Sequence, residues 1–348
     1  MRQLESDAPN IYVQPVLVSG AAGFIGQAVI RQLVQEGREV YGLIRSTEQR
    51  GTVEHMGAVP VVSDLEKPTR SLHHSLEKCD LVIHLAGRNE FGSGHSELLF
   101  RDNVVATENL LNCSANAGVK KILLGSSAIT IGEAKGETAT ESTRRSRGYL
   151  SDYEKTKSVA EKRAFEIAGR RGLDLICLKP ASVQGPGRIG GTAKIMLNYL
   201  NGKPQTLPDS TISLIDIDDC VNGFMKAERY GTPGESYILS GATVSIKNIL
   251  EKVEAITGVN NPDTRFIGKL LIPAAILSEA KARLTKSKPA LTLDFARTAL
   301  HGARYDGQKA TTELGLIYTP LEETLVKTID WYVKYGYVRA SQTIEFKH

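Results

Sequence analysis

The chain has 348 residues, 41% of them hydrophobic and 24% charged, a composition that fits a folded protein of one or two domains and excludes a disordered or fibrous one. The formal net charge is only +4, which is too small and too scattered to indicate nucleic-acid binding but is compatible with a phosphorylated ligand. The four cysteines form no Cys-x-x-Cys pair and the seven histidines show no metal-ligand spacing, so we expect reduced thiols, a cytoplasmic location and no metal site.

The first half of the chain alternates between short apolar runs and longer helical patterns. Strands are predicted over 16–18, 39–44, 59–62, 81–85, 121–124 and 173–178. Helices are predicted over 24–35, 47–56, 66–78 and 95–117, and around Tyr153. Such alternation implies right-handed crossovers between parallel strands. The predicted fold class is therefore α/β, with a Rossmann-type doubly wound parallel sheet.

The pattern changes after Pro180, where glycine-rich loops precede shorter elements. Helices are predicted near 192–201, 218–229, 245–257, 291–300 and 321–335. This change predicts a dinucleotide-binding domain over 11–180, with a return segment at about 211–240, and a smaller, discontinuous C-terminal substrate-binding lobe over 181–340.

Neither a targeting segment nor a membrane span is predicted. The first ten residues are polar and lack the apolar core of a signal peptide. The longest apolar run, 270–277, is broken by Pro273 and is too short to cross a bilayer. We expect this run to form a buried helix, and a greasy substrate pocket is the alternative.

A glycine-rich turn follows the first predicted strand and leads into the first helix. Gly20, Gly23 and Gly26 form Gly-x-x-Gly-x-x-Gly at this junction. Glycines here allow a tight turn, a close approach of the backbone to a pyrophosphate, and close packing of the helix on the sheet. The helix amino terminus would face the phosphates. The context favours dinucleotide binding, and a purely structural turn is the alternative.

The end of the second predicted strand indicates which dinucleotide is used. An acidic residue there binds the 2′-hydroxyl of NAD, whereas arginine suits the 2′-phosphate of NADP. The strand is followed by Arg45 and Ser46, with no acid, so NADP is favoured over NAD. The alternative is that Arg45 is only a solvated loop residue. Asp64 and Leu65, after the third strand, are expected to border the adenine.

Tyr153 and Lys157 are four residues apart, which places them on one face of a helix, one turn apart. An ammonium beside a phenol lowers the phenol's pKa, so that this tyrosine could exchange a proton near neutral pH. The alternative for the pair alone is a solvated helix face carrying Glu154, Lys155 and Lys157.

Taken in order along the chain, these motifs resemble those of the extended short-chain dehydrogenases/reductases, also called the NAD-dependent epimerase/dehydratase family. The segments that carry the resemblance are 19–26, 84–87, Asn103, 125–132, the Tyr153/Lys157 pair, 179–187 and 215–219. In 125–132 the family's catalytic Ser or Thr lies five residues before the glycine, which selects Ser127.

The resemblance implies roles for individual residues. Cofactor contacts are expected from Phe24, Ile25, Leu85, Ala86, Gly87, Asn103, Lys157 and Pro180. Substrate contacts are expected from Arg88, Ser127, Ala128, Ser182 and Gln184. Tyr153 would act as general acid or base at the substrate oxygen, Ser127 would hydrogen-bond the same oxygen, and Lys157 would hold the nicotinamide ribose. A homodimer that pairs helices near 95–117 and 150–170 is also implied.

Departures from the family pattern bear on the reaction. Relatives that dehydrate sugars have an Asp-Glu pair after the catalytic Ser or Thr, and here Ala128 and Ile129 stand there. Ser182 and Gln184 replace an asparagine and a tyrosine of sugar-nucleotide binders, so 179–187 is closer to reductases of the hydroxysteroid and dihydroflavonol type.

Three functions therefore stay open. The family resemblance favours hydride transfer at a secondary alcohol or carbonyl carbon of a nucleotide sugar or related small molecule, as in an epimerase. The second function is a net NADPH-dependent carbonyl reductase. The third is a non-catalytic dinucleotide sensor, which the presence of both Tyr153 and Lys157 disfavours.

Overall fold

A computed structural model describes residues 14–90, 96–287 and 289–338 of the chain. The strands are β1 (Val16–Ser19), β2 (Val40–Ile44), β3 (Val59–Val62), β4 (Leu81–His84), β5 (Lys121–Gly125), β6 (Asp174–Pro180), β7 (Ser182–Gln184), β8 (Gln205–Pro208), β9 (Thr211–Asp216), β10 (Ser236–Leu239), β11 (Ala242–Ser245) and β12 (Thr264–Ile267). The helices are α1 (Phe24–Gln35), α2 (Arg50–His55), α3 (Arg70–Leu76), α4 (Ser96–Phe100), α5 (Ala106–Ala117), α6 (Asp152–Arg171), α7 (Ala193–Leu200), α8 (Ile217–Tyr230), α9 (Ile246–Thr257), α10 (Leu271–Thr285), α11 (Leu293–His301), α12 (Gln308–Leu314) and α13 (Leu321–Lys334).

Seven of these strands form one parallel sheet in the order β10-β6-β5-β4-β1-β2-β3. Consecutive strands progress outward in both directions from β1, which lies between β4 and β2. The order therefore reverses at β1 and β4, and ligands bind at such a switch point, beyond the carboxyl ends of the strands. The predicted doubly wound α/β fold is confirmed.

The sheet is buried on both faces because its strands are apolar almost throughout. Val18 and Ile83 face a core that contains residues of α1 and α8, whereas Leu17 and Val82 face a second core against α5 and α6. Neighbouring residues of a strand point to opposite faces, so one apolar run supplies both cores.

Most predicted elements of the sheet domain lie within a few residues of the observed ones. The third predicted helix starts later than expected, at Arg70, because the Thr69 side chain caps it by accepting a hydrogen bond from Leu72 N at 3.4 Å. Residues 96–117 form one rod in which Arg101–Val105 makes a π-helical turn between α4 and α5. Residue 95 lies outside the described part of the chain.

Two small sheets lie outside the main one, in the orders β11-β9-β7 and β12-β8. They pack with α7, α9 and α13 around a third core, which includes Leu200, Val253 and Tyr332. The division into domains at 180 and at 211–240 stays a prediction, and its limits at 11 and 340 lie outside the described residues. No helix in the described ranges is long and apolar enough to cross a bilayer.

The apolar run at 270–277 is helical, within α10, but the expected burial is wrong. Leu277 is 72% exposed and Leu270, just before the helix, is 71% exposed, whereas Leu271 and Ala275 are buried. The helix packs on α11 with one side only, so one apolar face remains in contact with solvent.

Candidate active site

The glycine turn brings the start of α1 close to the end of β4. Gly20 has φ +69°, and a Cβ there would lie 2.8 Å from the backbone nitrogen of Ala86. A Cβ on Gly26 would collide with the carbonyl oxygen of Gly20, and one on Gly23 would lie 3.1 Å from that same oxygen. Only glycine allows this packing, which leaves the amino terminus of α1 open to an anionic ligand.

A buried hydrogen-bond chain fixes the two strand ends at the switch point. The Ser19 hydroxyl accepts from the backbone N–H groups of residues 85–86 at 3.1 Å and lies 2.7 Å from His84 Nδ1. His84 Nε2 lies 2.9 Å from Thr107 Oγ1. Burial, aided by the charge of Lys157, lowers the pKa of His84 to about 3, so the imidazole is neutral. Ser19 therefore donates to Nδ1, and the ring donates from Nε2 to Thr107.

The three predicted catalytic residues meet at the end of β5. Ser151 caps α6, and its hydroxyl accepts from Glu154 N at 3.2 Å, so that Tyr153 lies in the first turn of the helix. The Tyr153 hydroxyl and the Ser127 side chain are hydrogen-bonded. Lys157, one turn later, donates from Nζ to the carbonyl oxygen of Gly125 at 2.8 Å.

The pKa of the Tyr153 phenol is raised, and not lowered as the sequence predicted from the neighbouring Lys157. Burial raises the pKa of Tyr153, while the hydrogen bond with Ser127 and the positive charge of Arg188 oppose that increase. Lys157 is directed to a carbonyl oxygen, and burial lowers its own pKa. The phenol thus holds its proton at neutral pH, which suits a proton donor.

A buried carboxylate stabilises the helix that carries Tyr153. Glu154 is fully buried and accepts hydrogen bonds from Arg145 at 2.7 Å, from Arg147 at 2.9 Å and from Leu150 N at 2.9 Å. This network attaches the loop before α6 to its first turn. The solvated face considered for Glu154 is wrong, because the side chain points inward.

A second arginine–carboxylate cluster lies beyond the end of β2. Asp102, 5% exposed, is contacted by Arg45 at 3.0 Å, Arg88 at 2.8 Å and Arg101 at 3.0 Å. Burial acts to raise the pKa of Asp102, but hydrogen bonds from these arginines outweigh burial and hold it below its usual value. Asp64 lies 4.0 Å from Arg45 on the other side.

The same cluster holds Arg88. Its Nε donates to Asp102 at 2.8 Å and its Nη1 to Glu90 at 2.9 Å. The buried charge of Asp102 thus holds the guanidinium of Arg88 in the same cluster as Arg45, and its expected substrate contact stays a prediction.

Asn103 and Gly87 connect the strand end to α6. Arg88 N donates to Asn103 Oδ1 at 2.7 Å, and Asn103 Nδ2 donates to Arg88 O and Thr156 Oγ1, each at 3.1 Å. A Cβ on Gly87 would lie 3.0 Å from Asn103 Oδ1 and 3.9 Å from Lys157 Nζ. The Asn103 carboxamide positions the backbone beside Lys157, and these bonds use both of its N–H donors.

The remaining residues expected at the adenosine end are placed as follows. Ser46 accepts a hydrogen bond from Glu48 N at 3.2 Å, which leaves its hydroxyl proton free to donate. Asp64 accepts from Glu66 N at 2.9 Å and is half-exposed. The Leu65 side chain is buried, and its carbonyl oxygen accepts from Asn109.

Two residues expected to bind substrate are buried. Ala128 is completely buried in a small apolar core with Ile131 and Tyr305. Gln184 is 2% exposed and donates to Ser182 Oγ at 3.1 Å and to Thr192. The start of the turn after Ser127 and strand β7 direct these side chains inwards, and the expected substrate contacts of Ala128 and Gln184 stay predictions.

Ser182 and Pro180 lie on either side of the step from β6 to β7. Ser182 is half-buried, and its Oγ is 2.9 Å from Thr192 Oγ1. Pro180 ends β6 beside Leu239 of β10, within the main sheet. The Ser182 hydroxyl is thus bonded to the loop that follows β7.

The sequence patterns did not single out Arg188, which the structure places at the cleft. Its guanidinium lies 5.3 Å from the centre of the Phe24 ring, at the start of α1, and its charge acts on Tyr153. Its carbonyl oxygen accepts from the Tyr332 hydroxyl at 2.7 Å. Its Nε is buried and has no hydrogen-bond partner in the described part of the chain. The available signal was a lone cation directly after Gly-Pro-Gly.

Lys179 and Glu161 form a second group that the motifs did not reveal. Lys179 Nζ and Glu161 Oε1 lie 2.5 Å apart, and Glu161 Oε2 accepts from Ser126 at 2.7 Å and from Thr130 at 3.0 Å. This buried network fixes the residues on both sides of Ser127.

These residues fit a nicotinamide dinucleotide. The glycine turn, with Phe24 and Ile25 at the start of α1, opens onto the same edge of the sheet as Leu85, Ala86 and Gly87. Arginines lie beyond β2 at one end of the cleft, which we call the adenosine end. Ser127, Tyr153 and Lys157 lie beyond β5 at the other end, which we call the reaction end. A dinucleotide extended across the switch point would reach both ends.

Comparison with known proteins agrees with this geometry. The family model of the NAD dependent epimerase/dehydratase family matches residues 16–239. A protein of Synechocystis sp. described as a candidate dihydroflavonol 4-reductase is 28% identical, over 92% of this chain and 95% of its own length. Sterol demethylase protein B of Methylococcus capsulatus is 26% identical, over 92% and 99%.

Solved structures share the fold. The crystal structure of gox2253 has a TM-score of 0.80 and 26% identity, covering 94% of this chain and all of its own. The UDP-glucuronic acid 4-epimerase of Bacillus cereus, in complex with UDP-glucuronic acid and NAD, has a TM-score of 0.74 and 22% identity, covering 92% and 99%.

Proposed function

The chain belongs to the NAD dependent epimerase/dehydratase family and is an enzyme of the extended short-chain dehydrogenase/reductase type, and we propose that it is a net carbonyl reductase. Its substrate would carry a ketone, or in the reverse direction a secondary alcohol, on an apolar or ring-containing body. The observation that carries this proposal is a protonated, half-buried Tyr153 hydrogen-bonded to Ser127, with no acidic residue at positions 128 and 129.

Each residue has a distinct task in the proposed reaction. The nicotinamide cofactor supplies the hydride when it is bound. Tyr153 donates its phenolic proton to the substrate carbonyl oxygen, and Ser127 donates a hydrogen bond to the same oxygen as negative charge develops on it. Lys157, whose Nζ lies beside Gly87 and donates to the carbonyl oxygen of Gly125, would hold the nicotinamide ribose.

The substrate class rests on two supports. Dehydration of a sugar needs an acid next to the catalytic hydroxyl, and Ala128 and Ile129 cannot supply one. The Synechocystis and Methylococcus relatives, which match over nearly their full lengths, carry names of a flavonoid reductase and a sterol enzyme.

We propose NADP as the preferred cofactor. Arg45 is half-exposed at the end of β2, and Arg88 and Arg101 lie around the same carboxylate. A 2′-phosphate beside Arg45 would share these guanidinium groups with Asp102. Asp64, 4.0 Å from Arg45, is the opposing feature because it would repel a phosphate.

Nucleotide-sugar epimerisation is the second candidate, and Arg188 favours it. A guanidinium with an unpartnered, buried Nε beside the glycine turn is suited to an anion such as the diphosphate of a nucleotide sugar.

We also propose a homodimer through α5 and α6 and a cytoplasmic location. Sedimentation velocity tests the dimer.

Nicotinamide absorbance separates the two candidates. The purified protein is mixed with NADPH or NADH and with ketones of flavonoid, steroid and alkyl types, and separately with UDP-sugars. A reductase consumes the reduced cofactor in proportion to the ketone. Interconversion of a UDP-sugar without a net absorbance change would favour the epimerase, and consumption of neither substrate class by the folded, cofactor-binding protein would contradict both.

A further inference from the structure

Helix α10 carries an apolar stripe on its solvent side, which Lys281 interrupts between Leu277 and Leu284. Leu270, Pro273, Ala274, Leu277 and Leu284 are all exposed. Pro273, Ala274, Leu277 and Leu284 follow Leu270 by three, four, seven and 14 residues. This spacing places all five on one face of the helix. Leu277 is 72% and Leu284 is 87% exposed, which is unusual for two leucines of one stripe.

The opposite face of α10 is fixed to the lobe. Leu271 and Ala275 are buried against α11. Ser278 and Glu279 accept hydrogen bonds from Leu291 N at 3.0 Å and Leu293 N at 2.8 Å. The helix is therefore held in one orientation, and the stripe faces outwards as a consequence of this packing.

The segment that contains the stripe is positively charged. Residues 264–287 contain one acidic residue, Glu279, which is turned towards α11, and the basic residues Arg265, Lys269, Lys281, Arg283 and Lys286, all exposed. The whole chain has 43 basic and 39 acidic residues, so the rest of it has 38 of each. The formal charge of +4 is thus concentrated here and is not scattered as the composition suggested.

We propose that α10 docks the protein on a membrane surface that contains anionic lipids. Leucines at this spacing can enter the boundary between head groups and acyl chains, while lysine and arginine side chains extend to the phosphates. Each basic residue near an anionic surface strengthens binding, and salt weakens it. A second copy of the chain fits less well, because a symmetric contact through this face would bring two sets of five basic residues together.

The docking surface adjoins the candidate active site. Helix α11, on which α10 packs, reaches the start of α6, where Asp294 accepts a hydrogen bond from Asp152 N at 3.3 Å. Asp152 precedes Tyr153. A membrane held against α10 would therefore lie one helix away from the start of α6, near Tyr153, and a substrate dissolved in lipid could enter there.

Vesicle flotation tests docking without any need for turnover. The full chain is mixed with vesicles of phosphatidylcholine alone, or with vesicles that also contain phosphatidylglycerol. We expect the protein to float with the anionic vesicles, at least tenfold more than with the neutral ones, and to be released at high salt. A protein that stays at the bottom of the gradient with both kinds of vesicle would overturn the proposal.

Two variants and a matched control assign the binding to α10. L277E combined with L284E should reduce flotation at least tenfold, and K281E combined with K286E should remove the preference for anionic vesicles. The control is I317E, at an apolar position that is 82% exposed and outside the stripe. NAD binding and melting temperature, unchanged in all variants, show that each one folds.

Loss of flotation in I317E as large as in the leucine variant would overturn the assignment. A second result would also overturn it. The wild-type chain would form a stable dimer in sedimentation velocity, the leucine variant would not, and neither protein would bind vesicles.

Discussion

The two ends of the cleft hold the same kind of ion cluster in different ways. At the reaction end, Glu154 is fully buried between Arg145 and Arg147. At the adenosine end, Asp102 is also buried, but Arg45, which contacts it, has a side chain that is 48% exposed. An enclosed cluster is rigid because each charge depends on its partner, whereas exposed arginines can exchange a carboxylate for a phosphate.

This difference separates positioning from recognition. The enclosed cluster is expected to act through stability, by holding the helix that carries Tyr153. The open cluster is expected to act through ligand affinity. Substitutions at the two ends should therefore change different measurements.

Glu154→Gln should give the largest effect, a loss of about 3–5 kcal/mol in the free energy of unfolding, because two arginines would lose their buried counter-charge. Denaturant unfolding measures it. Glu166→Gln, on the same helix but in an exposed ion pair, is the matched control and should cost less than about 1 kcal/mol. Equal, small losses in both variants would show that the enclosed cluster is not structural.

Tyr153→Phe should lower kcat by at least about 100-fold, or about 2.7 kcal/mol, because the substrate oxygen would lose its proton donor. Cofactor affinity should stay nearly unchanged. Tyr149→Phe, at a nearby exposed tyrosine, is the control. Burial raises the pKa of Tyr153, so the wild-type reduction rate should be constant near neutral pH and fall at alkaline pH as the phenol ionises. Near-normal turnover in Tyr153→Phe would remove the tyrosine from its proposed role.

His84, between the two ends, should make stability depend on pH. Its pKa is about 3 in the fold against 6.5 for a free histidine, so the unfolded chain binds the proton more readily. The stabilisation is complete above pH 6.5 and is lost as the pH falls towards 3, by about 2 kcal/mol at pH 5. His84→Gln should remove this part of the pH dependence, and the exposed His74→Gln should not. An unchanged slope in His84→Gln would contradict the buried, neutral imidazole.

Arg45→Ala should give the smallest effect, about tenfold weaker NADP binding, or about 1.4 kcal/mol, with less change for NAD. Calorimetric titration of both cofactors measures it, with Arg50→Ala, at the start of α2, as the control. Equal losses for NADP and NAD would place the 2′-phosphate elsewhere.

The sequence by itself determined the alternation that builds the sheet, the glycine turn and the family. These depend on local order: Gly20 needs a positive φ wherever this turn packs on residues 85–86, and apolar strands of four or five residues must be buried. Tyr153 and Lys157 lie on one face of α6 because of helix geometry alone.

Only the tertiary structure decided where the charged and amphipathic side chains point. Arg88 turns to Asp102, Gln184 turns inwards, Arg188 reaches Phe24, and the face of α10 with Leu277 stays uncovered. Each outcome depends on partners far away in the chain, whose charge or apolar surface competes for the side chain. Local patterns carry no information on that competition, because it is decided by which segments the fold brings together.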